Sequence, residues 1–249
     1  MRSSVKILWV ISLILAGIFT AVQLVRYQPA ELVVSVQQYP PPDTSVPRPY
    51  NYTDNDKYIE QCDFFSLFGS SRASIVMLGD SHTYRMYWNE LLQRTDVLNR
   101  GIGSDISEGY LNRLQFVFCA QPRICFLQGG GNDIGHHVPQ DTIIANYRKV
   151  VQELRRHHIK PVLTGLFLAA KSFRWSDSVA YNDQVISLNK RFAALAQEES
   201  LTLVDINPII SKDGFLQDIF AQPDGVHLNG AAYLIWKKEI ESVLRSERL

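Results

Sequence analysis

The sequence predicts an α/β domain in which a mostly parallel sheet is covered on both faces by helices. Three observations lead there. From about residue 70 onward, short apolar runs alternate with longer amphipathic stretches, the pattern of strand–helix repeats. Several of the runs lead into glycine-bearing polar segments, as sharp turns at strand ends require. The chain of 249 residues carries no formal net charge and has 46% hydrophobic residues, enough for one domain with a sizeable core plus flanking sequence. Without basic clusters, nothing suggests binding to nucleic acid.

Taken in order, the first segment is "ILWVISLILAGIFTAVQLV", residues 7 to 25, preceded by Arg2 and Lys6 and closed by Arg26. A helix of that length spans about 28 Å, close to the thickness of a bilayer core. Cleaved signals usually have shorter apolar regions of about 7 to 15 residues. Residues 1–26 are therefore read as a transmembrane anchor, with a cleaved signal as second choice because "LAG" and "FTA" offer cut sites. The leading positive charges favour a cytoplasmic N-terminus and an extracytoplasmic remainder. Residues 27–69 hold five prolines between positions 40 and 49 and are read as an extended spacer. The folded domain is expected over 70–249.

Within it, strands are expected at 74–78, 96–99, 124–128, 161–167 and 202–206. Helices are expected near 84–93, 106–117, 140–158, 181–199 and 230–246. Asp105, with Glu108 three residues on, has the form of a capping box, and Asn229 is placed to cap the last helix. Cys62, Cys119 and Cys125 are an odd number, so at least one lacks a partner within the chain. Cys119 and Cys125 either close a short loop or stay apart with Cys125 buried in a strand. Their spacing does not suit a zinc site.

In parallel α/β sheets, ligands collect beyond the carboxyl ends of the strands. Four polar stretches fall there or just ahead of the last helix: Gly79-Asp80-Ser81-His82, "NRGIGSD" (99–105), "GGGNDIG" (129–135) and "PDGVHLN" (223–229). In this order and at these separations, over residues 73 to 246, they resemble the blocks of the SGNH hydrolase superfamily, the GDSL-like lipases and esterases. The resemblance implies a flavodoxin-like three-layer α/β/α fold and hydrolysis of an ester without metal or cofactor. By position it implies Ser81 as nucleophile, His227 as base, Asp224 as the group orienting His227, and Asn132 as an oxyanion donor. Backbone N–H groups of Ser81 and of the second block complete the oxyanion hole. The resembled pattern has glycine where this chain has Ser104, so that donor is assigned to Ser104, with Gly101 and Gly103 shaping the turn. His82 stands where leucine is common; it is either a polar residue of the first helical turn or a substrate contact.

These residue types suit the chemistry. A serine hydroxyl needs a neighbouring base to attack at neutral pH, and an imidazole can take that proton and later return it to the leaving alcohol. A carboxylate three residues before His227 can fix its tautomer. Asp80-x-His82 also has the form of a metal-site opening, but the later stretch is "GGND", and no Gly-Asp-x-x-Asp block intervenes. Asp80 and Asp133 are read as loop braces, and the pairs His136-His137 and His157-His158 as loop or solvated residues. Arg174 and Trp175, with Phe173 and Tyr181, fall where the mouth of a cleft is expected. The expected substrate is a small acyl ester, O-acetyl first, on a cell-envelope glycan. Fatty acyl or lysophospholipid hydrolysis and acyl transfer to a sugar are the alternatives, and a tethered non-catalytic binding module is the alternative of another class. Oligomeric state is not legible.

Overall fold

Among the described residues, the runs 75–79 and 124–128 are buried along their whole length, which forces them into the middle of a sheet covered on both faces. In a computed structural model, residues 49–68 and 71–249 are described. Five strands form that sheet: β1 (Ile75–Gly79), β2 (Val97–Gly101), β3 (Ile124–Gln128), β4 (Lys160–Thr164) and β5 (Thr202–Val204). Their order is β2-β1-β3-β4-β5, and each neighbouring pair is parallel. The chain leaves β1 to one side for β2 and returns on the other for β3. A crevice therefore opens at the carboxyl ends of β1 and β3, where the strand order reverses.

Helices α1 (Asp56–Leu67), α2 (Ser81–Tyr84), α3 (Trp88–Leu92), α4 (Ser107–Asn112), α5 (Gln115–Phe118) and α6 (Gly131–Gly135) are short or of moderate length. The long helices are α7 (Gln140–Arg156), α8 (Ser178–Glu198) and α10 (Gly230–Ser246), with the single turn α9 (Asn207–Ile210) between the last two. Trp88 of α3 meets Trp236 of α10 edge to face, with ring centroids 4.9 Å apart. Tyr147 of α7 packs on Phe192 of α8. One core of buried apolar side chains joins the strands to these helices.

Several expectations need correction. Strand 161–167 ends at Thr164, although residues 165–170 remain buried. That segment leaves the ladder because asparagine side chains take its backbone groups. Asn189 bonds both the N–H and the carbonyl of Leu166, Asn182 does the same for Ala169, and Asn207 accepts from the Leu168 N–H. The helix expected over 84–93 is broken into α2 and α3. The Asn99 amide of β2 donates to the carbonyls of Thr83, Tyr84 and Met86, which satisfies the broken turn. Likewise 106–117 splits into α4 and α5. Its N-cap is Ile106 with no side-chain cap, so the Asp105–Glu108 capping box does not form. Asn229 does cap α10, accepting from Ala231 and Ala232 N–H.

The spacer reading of 27–69 fails for its C-terminal part, since residues 52–67 fold into a turn of 3-10 helix and α1. Tyr52, Tyr58 and Phe65 form a second small core with Ile102, Ile106 and Phe116. The apolar run at 7–25 lies outside the described residues. All three cysteines are free, and Cys125 is a buried residue of β3, so the Cys119–Cys125 bridge is absent.

Candidate active site

The turn that carries Ser81 follows from a close approach. A Cβ on Gly79 would overlap the Gln128 carbonyl oxygen and the Thr83 hydroxyl, so only glycine lets β1 end this tightly. Asp80 then caps α2, its Oδ1 accepting from the His82 N–H at 3.0 Å. Ser81 becomes the first helical residue, half-buried with its hydroxyl at the crevice. Ser81 Oγ lies 2.9 Å from His227 Nε2. His227 Nδ1 lies 2.8 Å from Asp224 Oδ2. Asp224 Oδ1 meanwhile accepts from the N–H groups of Val226 and His227, which folds the 223–229 turn. Three residues spread over most of the domain sequence are thus in hydrogen-bonding sequence.

The charges suit that relay. Burial works to raise the Asp224 carboxyl, but the N–H bonds from His227 and Val226 and the His227 ring outweigh it and hold it down at about 2. Burial lowers His227 below the ordinary histidine value, the neighbouring His82 adds to this, and Asp224 opposes both. The ring therefore rests neutral at pH 7, as a base must.

A second loop holds the 223–229 turn in place. Gly225 has φ 79° and lies so near the segment after β4 that a Cβ would fall 2.5 Å from Phe173 N. The Ala170 N–H donates to the Gly225 carbonyl at 2.7 Å. From this same loop Trp175, 65% exposed, meets the His227 ring in a T-shaped contact with centroids 5.9 Å apart. Phe173 bridges Trp175 to Tyr181, giving an aromatic wall beside the base. Arg174 is exposed on this loop, with no contact to the triad among the described residues.

Across the crevice, Ser104 and Asn132 sit at the ends of β2 and β3. Ser104 has φ 62°, the left-handed conformation that glycine adopts without strain, and a side chain there costs about 1 kcal/mol or more. The N–H groups of Ser81 and Ser104 have no acceptor among the described residues. The Asn132 amide donates to the Asp105 carbonyl at 2.9 Å, which fixes its plane and leaves its second N–H free to point elsewhere. Asp133 braces the loop as expected, accepting from the N–H and hydroxyl of Ser107. Burial pushes its carboxyl up to about 6.

Beneath these loops lies a residue that sequence reasoning missed. Arg113, on the link between α4 and α5, is fully buried. Its guanidinium donates to Asp105 Oδ2 at 2.8 Å, the Arg100 carbonyl at 2.6 Å and the Gly79 carbonyl at 2.9 Å. It thereby ties the ends of β1 and β2 to the loop that carries Ser104. Burial pushes the Asp105 carboxyl up to about 7 against the pull of Arg113. Its position in "YLNRLQ" resembles that of any helix-surface arginine, so no local signal marks it. Arg113→Met is expected to lower folding stability by about 3–5 kcal/mol, by leaving a buried carboxylate unpaired. The urea midpoint measures this.

His82 departs from the reading as a substrate contact. It is 8% exposed, with Nε2 3.1 Å from the Val226 carbonyl oxygen, so its ring faces inward. Asp80 Oδ1 is held by the His82 N–H, and Nε2 is turned to a carbonyl.

Known proteins are similar to this chain in sequence and in fold. A model of the GDSL-like lipase/acylhydrolase family matches residues 67–235. An isoamyl acetate-hydrolyzing esterase of Saccharomyces cerevisiae is 27% identical over 177 residues, covering 64% of this chain and 72% of that protein. A GDSL-like lipase from Bacteroides thetaiotaomicron superposes with a TM-score of 0.66 at 20% identity, over 75% of this chain and 98% of its own. An acetyl xylan esterase, AlAXEase, superposes with a TM-score of 0.58 at 20% identity, over 68% of this chain and 98% of its own. Both superpositions show the fold.

Proposed function

This chain belongs to the GDSL-like lipase/acylhydrolase family and is a carboxylic ester hydrolase, and on that premise we propose that it removes a small acyl group, O-acetyl first, from a cell-envelope glycan. The observation that carries the chemistry is the unbroken series Ser81 Oγ, His227 Nε2, His227 Nδ1 and Asp224 Oδ2, at 2.9 and 2.8 Å. Ser81 Oγ attacks the ester carbonyl carbon while its proton passes to His227 Nε2. The resulting oxyanion is met by the N–H groups of Ser81 and Ser104 and the free amide hydrogen of Asn132. Collapse breaks the bond to the leaving alcohol, which takes the proton from His227 and leaves an acyl-Ser81 ester. Water, deprotonated by the same imidazole, then releases the acid.

Two observations support a short acyl group on a sugar. The exposed Trp175 ring next to His227 suits stacking on a pyranose face. The yeast relative and the xylan esterase are both named for acetyl esters. The apolar run at 7–25 supports residues 1–26 as an anchor holding the enzyme on the extracytoplasmic side.

The test compares p-nitrophenyl acetate, butyrate and octanoate with the full chain, followed by acetate release from envelope glycan with and without an added sugar acceptor. A fall in kcat/KM from acetate to octanoate and free acetate from glycan are the expected results. Preference for octanoate would assign a fatty acyl ester instead, and acetylated acceptor would assign transfer. The acid limb of kcat/KM against pH is expected to have its midpoint below the ordinary histidine value of about 6.5. The sign follows from His227 acting as a base: activity is full above its pKa and is lost as pH falls through it. Asp224, held at about 2, stays ionised throughout that range.

A further inference from the structure

His82 joins the two turns that carry the reacting groups. It follows Ser81 directly in sequence, and its ring reaches the other turn. Because the Val226 carbonyl oxygen can only accept, the proton lies on His82 Nε2, which donates across 3.1 Å. Val226 immediately precedes His227, so one hydrogen bond spans from the nucleophile side to the base side. The ring cannot easily swing away. Its Nδ1 lies 3.5 Å from Asp80 Oδ1, and Phe167 packs edge-on with centroids 5.1 Å apart. The Tyr233 hydroxyl, from α10, donates to the His82 carbonyl at 2.6 Å and holds the backbone. The His82 and His227 rings are 5.3 Å apart at their centroids and share no hydrogen bond. Besides its electrostatic effect on the His227 ring, His82 reaches it mechanically through Val226.

We propose that His82 is a positioning residue for proton transfer: by pinning the Val226 carbonyl to the Ser81 turn, it sets the approach of His227 Nε2 to Ser81 Oγ. This rests on the triad reading above. A brace of this kind matters because the transfer depends steeply on geometry, and a reacting group misplaced by about 1 Å can lose on the order of 100-fold in rate. Leucine, common at this place in the resembled pattern, keeps the bulk against Phe167 but leaves Val226 without its donor. Glutamine keeps a donor, since its amide nitrogen can reach about as far as Nε2.

The experiment measures p-nitrophenyl acetate hydrolysis by the full chain and its His82→Leu, His82→Gln and Ser81→Ala variants. His82→Leu is expected to lower kcat about 10- to 100-fold with KM within about twofold, while His82→Gln recovers kcat to within about threefold of the parent. His82→Leu keeping its kcat, or changing KM alone, overturns the proposal while an inactive Ser81→Ala leaves the triad standing. An active Ser81→Ala would remove the triad reading itself. Should the leucine variant not fold, His82→Asn replaces it, because its shorter amide falls short of Val226. A slow asparagine variant beside an active glutamine variant supports the brace, and equal rates overturn it.

Discussion

Ser81→Ala is expected to lower kcat for ester hydrolysis by about 10⁴- to 10⁶-fold, the cost of removing the nucleophile from a triad. Its folding stability should change by less than about 0.5 kcal/mol, because Ser81 is only half-buried and the helix it begins is capped by Asp80. This separation makes the variant informative. Loss of rate at an unchanged urea midpoint can come only from the missing hydroxyl, 2.9 Å from His227 Nε2. Hydrolysis of p-nitrophenyl acetate at the parent rate would remove Ser81 from the reaction and take the proposed mechanism with it.

Asp224→Asn should cost about 10⁴-fold in kcat, through the tautomer of His227. Asp224 Oδ1 accepts two backbone N–H groups, from Val226 and His227, at 3.0 and 2.9 Å. In the variant the amide oxygen must keep that place, since an NH₂ group there would face two donors. The NH₂ then occupies the position of Oδ2 and points at His227 Nδ1. The imidazole responds by placing its lone pair on Nδ1 and its proton on Nε2, which faces the Ser81 hydroxyl with a donor where a base is required. The turn survives while the base is blocked. Asp224→Ala removes both functions, so it should lose rate and also loosen the turn. An Asp224→Asn enzyme within about tenfold of the parent would show that His227 keeps its working tautomer without the carboxylate.

Much of this arrangement is legible in the residues alone, for a physical reason. Strands β1 and β3 are short, wholly buried, almost entirely apolar and ended by glycine-bearing turns, so their placement needs only local information. The three triad members come from two segments whose order and spacing leave few alternatives, and they do meet. What failed to show is long-range. The break between α2 and α3 depends on Asn99, a residue of the neighbouring strand. The end of β4 depends on asparagines from α8 and α9. Helix α1 was obscured by the prolines before it, since its apolar face becomes meaningful only against Ile102 and Phe116. Asp105 looked like a cap and is instead the partner of Arg113, eight residues away and equally buried. His82 reads as a first-turn polar residue or a substrate contact because its acceptor is Val226, at the far end of the domain sequence.

The segment from Ala170 to Trp175 has two duties, leaning its backbone on Gly225 while lending an indole to the mouth of the crevice. A change in this segment therefore bears on the Gly225 turn and on the indole beside His227 at once. A lineage of such enzymes exploring new substrates by lengthening or trimming this segment would disturb the imidazole at each step. The opposite wall offers no easier route, since Asn132 there is tied to the Asp105 carbonyl and Asp105 to the buried Arg113.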